Sequence, residues 1–109
     1  MNKALRKQIG EELFIMIRSE YKQEKIFLKD ILFIEGMGDY RRLHTNRRKI
    51  MTLQTFKELE SMLSESSIQR VHKSYMINVD NIVQRTSEYV MLTNGERIPI
   101  SDSYKGNFK

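Results

Sequence analysis

The sequence predicts a mostly β protein, and three features support that fold class. Short apolar runs separated by polar breaks follow one another from Leu13 onwards, an Asn-Gly pair separates two such runs, and a helical apolar pattern occurs once. Runs of this length are typical of several brief strands rather than of a helical bundle. The predicted strands cover residues 13–19, 25–28, 30–35, 40–45, 49–52, 74–79, 81–85, 89–93 and 97–100.

The Asn94-Gly95 pair is the most specific local signal for a hairpin. A two-residue type I′ turn needs positive φ at both positions, and Asn-Gly adopts it at low steric cost. The pair therefore predicts that the strand at 89–93 turns back onto the strand at 97–100. Pro99 has no backbone N–H to give to a sheet, so the returning strand should lie at an edge.

One short helix is predicted at about residues 53–63. Its apolar residues recur at helical spacing and lie on one face, which should cover a sheet: Leu53, Phe56, Leu59 and Leu63. Thr52 can cap the start of this helix, and Thr55 with Glu58 offers an alternative capping box. At the C-terminus, Ser101 or Ser103 can cap a short final helical turn.

Length and charge limit the class of protein. A chain of 109 residues suits one domain, which we place at residues 13–109, and the charged residues 1–12 are expected to form a linker or leader segment. Lys and Arg number 19 and Asp and Glu number 14, so the net charge is +5. A positive balance favours a polyanionic partner such as nucleic acid or an acidic membrane surface.

The chain has no cysteine, which excludes disulfides and thiolate metal sites. No apolar run approaches the roughly 18 residues of a membrane span, and the first residues lack the apolar stretch of a secretion signal. We therefore expect a cytoplasmic domain that does not enter a membrane.

The strongest charge cluster is RRLHTNRRK at residues 41–49, where five of nine side chains are Arg or Lys and none is acidic. A hairpin that turns near Asn46-Arg47 would present basic residues at both ends of the strand. Such residues can neutralise phosphates, and an Arg can donate two hydrogen bonds to guanine. The alternative is a solvated hairpin whose charges protect an edge strand from aggregation.

A second polar group, Arg70, His72, Lys73 and Ser74, comes directly before the strand predicted at 74–79. Alternation assigns Tyr75, Ile77 and Val79 to the core face of that strand and Ser74, Met76 and Asn78 to the other. The residues before the strand are interpreted as a loop at the edge of the sheet, where binding sites are common. His72 can instead be a structural histidine that donates to a backbone carbonyl.

These stretches resemble the LytTR DNA-binding domain, the output module of many bacterial two-component response regulators. The resemblance spans roughly residues 12–108. It depends on KDILFIEGMGDYRRLHT at 29–45, on the helix TLQTFKELESML followed by RVHKSYMINVDNI at 70–82, and on YVMLTNGERIPISDSY at 89–104. The phrase RVHKSY with Asn78 matches the signature of the family in order and spacing.

The resemblance implies an elongated arrangement of small antiparallel β-sheets with one short helix. It also implies loops that enter successive major grooves of duplex DNA, without catalysis, cofactor or metal. The base-contacting positions of the family fall on Arg41, Lys73 and Ser103. Contacts to the DNA backbone are then expected from Arg42, Ser74 and Lys105.

The family also implies partners for this chain. The expected partner is double-stranded DNA with paired promoter half-sites, and an N-terminal receiver domain is expected if the chain is a fragment of a regulator. In isolation we expect a monomer or a weak dimer.

The sequence is also compatible with two other functions. His44 and His72, with Lys73 and Glu35, could form a small phosphodiesterase that acts on RNA by acid-base catalysis. A basic β-rich module could instead bind RNA or single strands, for which exposed aromatic rings are needed as stacking platforms.

Overall fold

A computed structural model describes residues 6–7 and 12–105, and this part of the chain is mostly β with one α-helix, as the sequence predicts. The strands are β1 (Arg6–Lys7), β2 (Leu13–Ser19), β3 (Lys22–Phe27), β4 (Ile31–Met37), β5 (Tyr40–Thr45), β6 (Lys49–Thr52), β7 (Ile68–His72), β8 (Tyr75–Asn78), β9 (Ile82–Arg85), β10 (Tyr89–Leu92) and β11 (Arg97–Pro99). Helix α1 spans Phe56–Met62, and 3₁₀ turns cover Leu28–Asp30, Val79–Asn81 and Asp102–Tyr104.

The strands form three antiparallel sheets. A central sheet has the order β6-β5-β4-β8-β7, and two smaller sheets have the orders β1-β2-β3 and β11-β10-β9. The structure extends 37 × 33 × 28 Å along its principal axes, so its elongation is slight. β1 pairs with the start of β2, which adds a short strand from the segment 1–12 to the domain.

The central sheet is covered on both faces. On the face that we call the α1 face, buried residues of the sheet such as Ile34 and Leu43 cluster with Ile15 of β2 and Leu59 of α1. On the β10 face, Phe33 and other buried residues cluster with β10 and β11. Because neighbouring residues of β4 contribute to different cores, the sheet separates two hydrophobic layers.

The prediction of a single core face for the strand at 74–79 was wrong. Tyr75 is only half-buried, whereas Met76, Ile77 and Asn78 are all at most 1% exposed. Met76 faces the α1 core and Ile77 the β10 core. Both faces of β8 are therefore interior, and the strand ends at Asn78 because Val79 begins a 3₁₀ turn.

Arg70 and His72, two of the four polar residues before β8, lie in a strand rather than in the predicted loop. Residues 68–72 are β7, which pairs antiparallel with β8 and has a bulge between Arg70 and His72. Only Lys73 and Ser74 remain in the connection, so β7 and β8 form a tight hairpin.

Helix α1 begins later than predicted, because Thr55 rather than Thr52 is its N-cap. The Glu58 amide donates to the Thr55 hydroxyl at 3.1 Å and the Thr55 amide donates to the Glu58 carboxylate at 3.0 Å, which completes a capping box. Thr52 is buried at the end of β6 and accepts from the Gln54 amide. Leu53 lies before the helix and is 64% exposed, so it is not part of the apolar face.

The hairpin at Asn94-Gly95 forms at the predicted place, but its loop has three residues rather than two. Leu92 donates to the Glu96 carbonyl at 2.9 Å, and the Gly95 amide donates to Leu92 at 2.8 Å. Of the pair, only Gly95 has a positive φ, at 88°. This is the geometry of a turn followed by a glycine bulge. Pro99 lies in β11, an edge strand, as predicted.

Within residues 6–7 and 12–105, no helix has the length and apolar character that crossing a membrane requires.

Candidate nucleic-acid interface

Two turns lie at one end of the central sheet, which we call the Lys73 end. β4 pairs antiparallel with β5 through Gly36 and Arg41 and with β8 through Glu35 and Tyr75. The turn after β4 and the turn between β7 and β8 are therefore on the same side. The Gly36 amide donates to the Ser74 carbonyl at 2.8 Å, which joins them directly.

The two residues of the β7–β8 turn differ in exposure. Lys73 is exposed, whereas Ser74 is half-buried. The Ser74 amide donates to Nδ1 of His72 at 3.1 Å. His72 therefore has a structural role, but its ring accepts a hydrogen bond from the backbone, where a donated bond was expected. The imidazole fixes the backbone of the turn that carries Lys73.

Arg41 and Arg42 point to opposite faces of the central sheet. The Arg41 guanidinium lies 5.6 Å from the Phe56 ring on the α1 face, and its Nη2 donates to the Asp39 carbonyl at 2.5 Å. Arg42 is on the β10 face, where its Nε lies 3.5 Å from the sulfur of Met51. The structure therefore brings Arg41, but not Arg42, onto the surface that it shares with Lys73.

The side chain of Arg70 connects the elements at the Lys73 end. Nε donates to the His72 carbonyl at 2.8 Å, Nη2 donates to the Lys73 carbonyl, and Nη1 forms an ion pair with Glu60 of α1 at 2.7 Å. The guanidinium lies 4.2 Å from the Phe56 ring and 5.1 Å from the Tyr104 ring. One side chain thus contacts β7, the Lys73 turn, α1 and the C-terminal turn.

The C-terminal 3₁₀ turn packs beside β7. The Ser101 amide donates to the Val71 carbonyl at 3.0 Å, which holds the turn near the Lys73 end. Ser101 occupies the N-cap position, as one alternative predicts, but its hydroxyl makes no capping bond and is buried without a partner. Ser103 is exposed, and Lys105 forms an ion pair with Asp102 at 3.1 Å.

The basic stretch 41–49 divides between the two ends of the central sheet. Its turn at Asn46-Arg47 forms as predicted, with the Thr45 amide donating to the Arg48 carbonyl at 3.0 Å. β5 has six residues, so this turn is about 17 Å from the Lys73 end. Arg48 forms an ion pair with Glu24 at 2.5 Å, which gives it a structural role.

The two histidines are not brought together. Nε2 of His44 lies 2.9 Å from the Glu35 carboxylate, and its ring stacks on Phe33 at 4.0 Å. His44 is in β5 and His72 in β7, with β4 and β8 between them. Three strand spacings place them roughly 14 Å apart, which is too far for both rings to act on one phosphate. The described residues contain no group of His, Asp or Glu suited to a metal.

Sequence reasoning did not foresee the roles of Phe56, Arg70 and Tyr104. The helical pattern predicts only a core role for Phe56, yet its ring contacts two Arg side chains at the Lys73 end. Gly36 permits this packing, because a Cβ at that position would come within 2.8 Å of the Phe56 ring. The one available signal was Arg70 within the motif RVHKSY, and the motif does not reveal its partners.

Comparisons with known proteins agree with this fold. A solved LytTr DNA-binding domain from Bacillus cereus superposes with a TM-score of 0.72 at 20% identity, over 86% of this chain and 91% of the other. Transcriptional regulatory protein LytR of Staphylococcus aureus is 31% identical over 94 residues, which cover 79% of this chain and 38% of LytR. Transcriptional regulatory protein NatR of Bacillus subtilis is 29% identical over 68 residues, 62% of this chain and 29% of NatR.

The chain therefore spans less than two fifths of the length of these curated relatives. The model of the LytTr DNA-binding domain matches residues 21–109. On this match, the chain belongs to the LytTR family of DNA-binding domains.

Proposed function

We propose that this chain binds double-stranded DNA in a sequence-specific manner and is the output domain of a transcriptional response regulator. The observation that carries the proposal is the convergence of Arg41, the Lys73 turn and the C-terminal turn on Phe56 and Arg70. Three separate stretches of chain thus lie at one end of the central sheet. A surface of this kind can place several side chains against a duplex at once.

In the proposed complex, Arg41 at the start of β5, Lys73 in the β7–β8 turn and Ser103 in the C-terminal turn contact bases in successive major grooves. Arg41 can donate two hydrogen bonds to O6 and N7 of guanine, for which its guanidinium must leave the Asp39 carbonyl. Lys73 is exposed and can donate to acceptors of either purine. Ser103 is exposed and reaches a short distance, so it reads one base edge at most.

Ser74, Lys105 and Arg42 are the proposed contacts to the DNA backbone. Lys105 would exchange its exposed partner Asp102 for a phosphate. Arg42 lies on the β10 face, so we assign it to phosphates that flank the groove rather than to the surface around Arg70.

The relatives suggest how the domain is used. Because it covers 38% of LytR, we propose that it is joined to an N-terminal receiver domain in a longer regulator. We propose paired half-sites on DNA, with the isolated domain a monomer or weak dimer. The separation of His44 and His72 argues against a shared catalytic role, because β4 and β8 lie between the strands that carry them.

Fluorescence anisotropy tests the proposal with a duplex selected from a random pool and a scrambled duplex of the same composition. Arg41→Ala should cost about 1–3 kcal/mol on the selected duplex, roughly 5- to 150-fold in Kd, with little effect on the scrambled one. Lys105→Ala should weaken both equally, and Arg47→Ala is the matched basic control because it lies at the other end of β5.

Salt dependence gives an independent measurement. If about five Lys and Arg side chains in all neutralise phosphates, Arg42 and Lys105 among them, the log-log slope should be near −4.5, which is a loss of several hundredfold between about 50 and 200 mM salt. Equal losses on both duplexes for Arg41→Ala would remove its base-reading role. The absence of any preference for the selected duplex would refute sequence-specific binding altogether.

A further inference from the structure

We propose that Arg70 is a positioning residue that sets the spacing between the base-contacting residues Arg41, Lys73 and Ser103. This inference rests on the proposed function, since it concerns the accuracy with which that surface is held. Each base-contacting residue is held by a neighbouring turn or ring, which we call its support. Arg70 contacts all three supports but is not itself a base-contacting residue.

The first support is the Lys73 turn. Arg70 donates to the carbonyls of His72 and Lys73, which are successive residues leading into that turn. Hydrogen bonds to a charged donor are roughly twice as strong as neutral ones. With its carbonyl fixed in this way and the Ser74 amide bound to His72, the Lys73 backbone has little freedom to rotate.

The second and third supports are aromatic rings. The Arg70 guanidinium is 5.1 Å from Tyr104, the residue next to Ser103, and 4.2 Å from Phe56. The Phe56 ring in turn contacts the Arg41 guanidinium. A shift of Arg70 would therefore move both the C-terminal turn and the Phe56 ring that contacts Arg41.

The positive charge of Arg70 is already paired with a carboxylate of the same protein. Its side chain is 13% exposed and forms an ion pair with Glu60 at 2.7 Å, so little of it is accessible to a phosphate. The planar guanidinium can donate in several directions while its faces contact rings, which a lysine ammonium cannot reproduce. Arg70→Lys should therefore keep the charge and lose the geometry.

The expected effect is a loss of specificity rather than of general affinity for DNA. Side chains that contact base edges must be held within about 0.5 Å of the geometry that forms the hydrogen bonds. Contacts to phosphates tolerate larger movements. Arg70→Lys should lower the ratio of scrambled to selected Kd by about tenfold or more. The salt slope should stay unchanged, because no phosphate contact is removed.

The experiment compares the wild type, Arg70→Lys and Leu28→Ala with the selected and scrambled duplexes at several salt concentrations. Leu28 is buried and lies in the 3₁₀ turn that leads into β4, at the end of the sheet opposite Lys73, so its truncation lowers stability without touching the Arg70 contacts. Measurements are made at a temperature at which circular dichroism shows all three proteins folded. NMR order parameters of the Ser74 and Ser103 amides are recorded on the free proteins.

The expected result is a reduced specificity ratio for Arg70→Lys, an unchanged slope, and order parameters that fall from about 0.85 toward 0.6 at both amides. Leu28→Ala should match the wild type in the specificity ratio, the salt slope and the order parameters. A slope that shrinks by about 0.9 at constant ratio would identify Arg70 as a phosphate contact and overturn the inference. An equal loss of ratio in Leu28→Ala would also overturn it.

The two proposals can fail separately. If the wild type does not prefer the selected duplex, sequence-specific binding fails, and the order parameters alone judge Arg70. Unchanged order parameters in Arg70→Lys would then overturn the positioning role as well.

Discussion

Asn78 is expected to be among the most sensitive polar positions for stability. It is 1% exposed and makes four hydrogen bonds through one side chain. Nδ2 donates to the carbonyls of Leu28 and Ile31 at 3.2 and 2.9 Å, and Oδ1 accepts from the Ser67 hydroxyl at 2.8 Å and the Asp80 amide at 3.1 Å. The side chain thereby ties β8 to the turn that precedes β4.

The cost of Asn78→Ala can be estimated from these contacts. The buried Ile31 carbonyl would lose its Asn78 donor at about 1–3 kcal/mol, whereas the Leu28 carbonyl also accepts from the Ile31 amide and would lose about 0.5–1 kcal/mol. Ser67 and Asp80 are more exposed, so water can replace the lost acceptor at about 0.5 kcal/mol each. The total is about 2.5–5 kcal/mol, which is a large fraction of the stability of a small domain.

Urea unfolding followed by circular dichroism measures this loss. Ser67→Ala is the matched control, because it removes one of the four bonds at a half-buried site and should cost about 1 kcal/mol or less. Asn78→Asp should be at least as damaging as Asn78→Ala at neutral pH, since a carboxylate oxygen would face two carbonyl oxygens. A loss of less than about 1 kcal/mol for Asn78→Ala would refute the estimate.

Two further predictions concern Glu24 and Gly36. Hydrogen bonds from Ser19 and then from Arg48 lower the pKa of Glu24 below its ordinary value of 4.5. Glu24→Gln should therefore reduce the free energy of unfolding at neutral pH, and the difference from the wild type should vanish in acid as pH falls through the lowered pKa. A constant difference across that range would contradict the role of the charge. Gly36→Ala should displace the Phe56 ring, because the new methyl group would lie 2.8 Å from a ring carbon. The expected loss of unfolding free energy in urea is about 1–3 kcal/mol. An unchanged urea midpoint would show that the ring moves without cost.

The local elements could be predicted from the sequence where a side chain acts on its own backbone. The capping box of Thr55 and Glu58, the turn at Asn46-Arg47 and the hairpin at 94–95 are all of this kind. The details that differed have local causes too. Gly95 alone takes positive φ, so a three-residue loop replaces the two-residue turn.

The central strands could not be predicted in the same way, because their burial depends on distant chain. Alternation in 74–79 indicates one apolar face, yet Met76 and Asn78 are covered as fully as Ile77. Arg70 and His72 made β7 look like a loop, although their polar groups are satisfied by specific partners. A periodicity rule cannot foresee such partners, since they come from α1, the Lys73 turn and the C-terminal turn.

For the interface, the resemblance identified positions but not their surroundings. The base-contacting and backbone roles of the six residues stay predictions. Strand alternation alone predicts that Arg41 and Arg42 point to opposite faces, and the structure shows that Arg41 lies on the α1 face. The motif does not reveal the partners of these residues, such as the ion pair of Lys105 with Asp102.

The pairing of β4 with β8 divides the interface between two stretches of chain. The chain up to the end of α1 supplies Arg41 and Phe56, and the chain after α1 supplies Arg70, Lys73 and the C-terminal turn. During synthesis, a nascent chain therefore cannot assemble the proposed interface until β8 and β7 pair beside β4 and the C-terminal turn packs on β7. A break in the connection between α1 and β7 would divide the chain into two fragments. These fragments would have to reassociate before the proposed interface could bind a duplex.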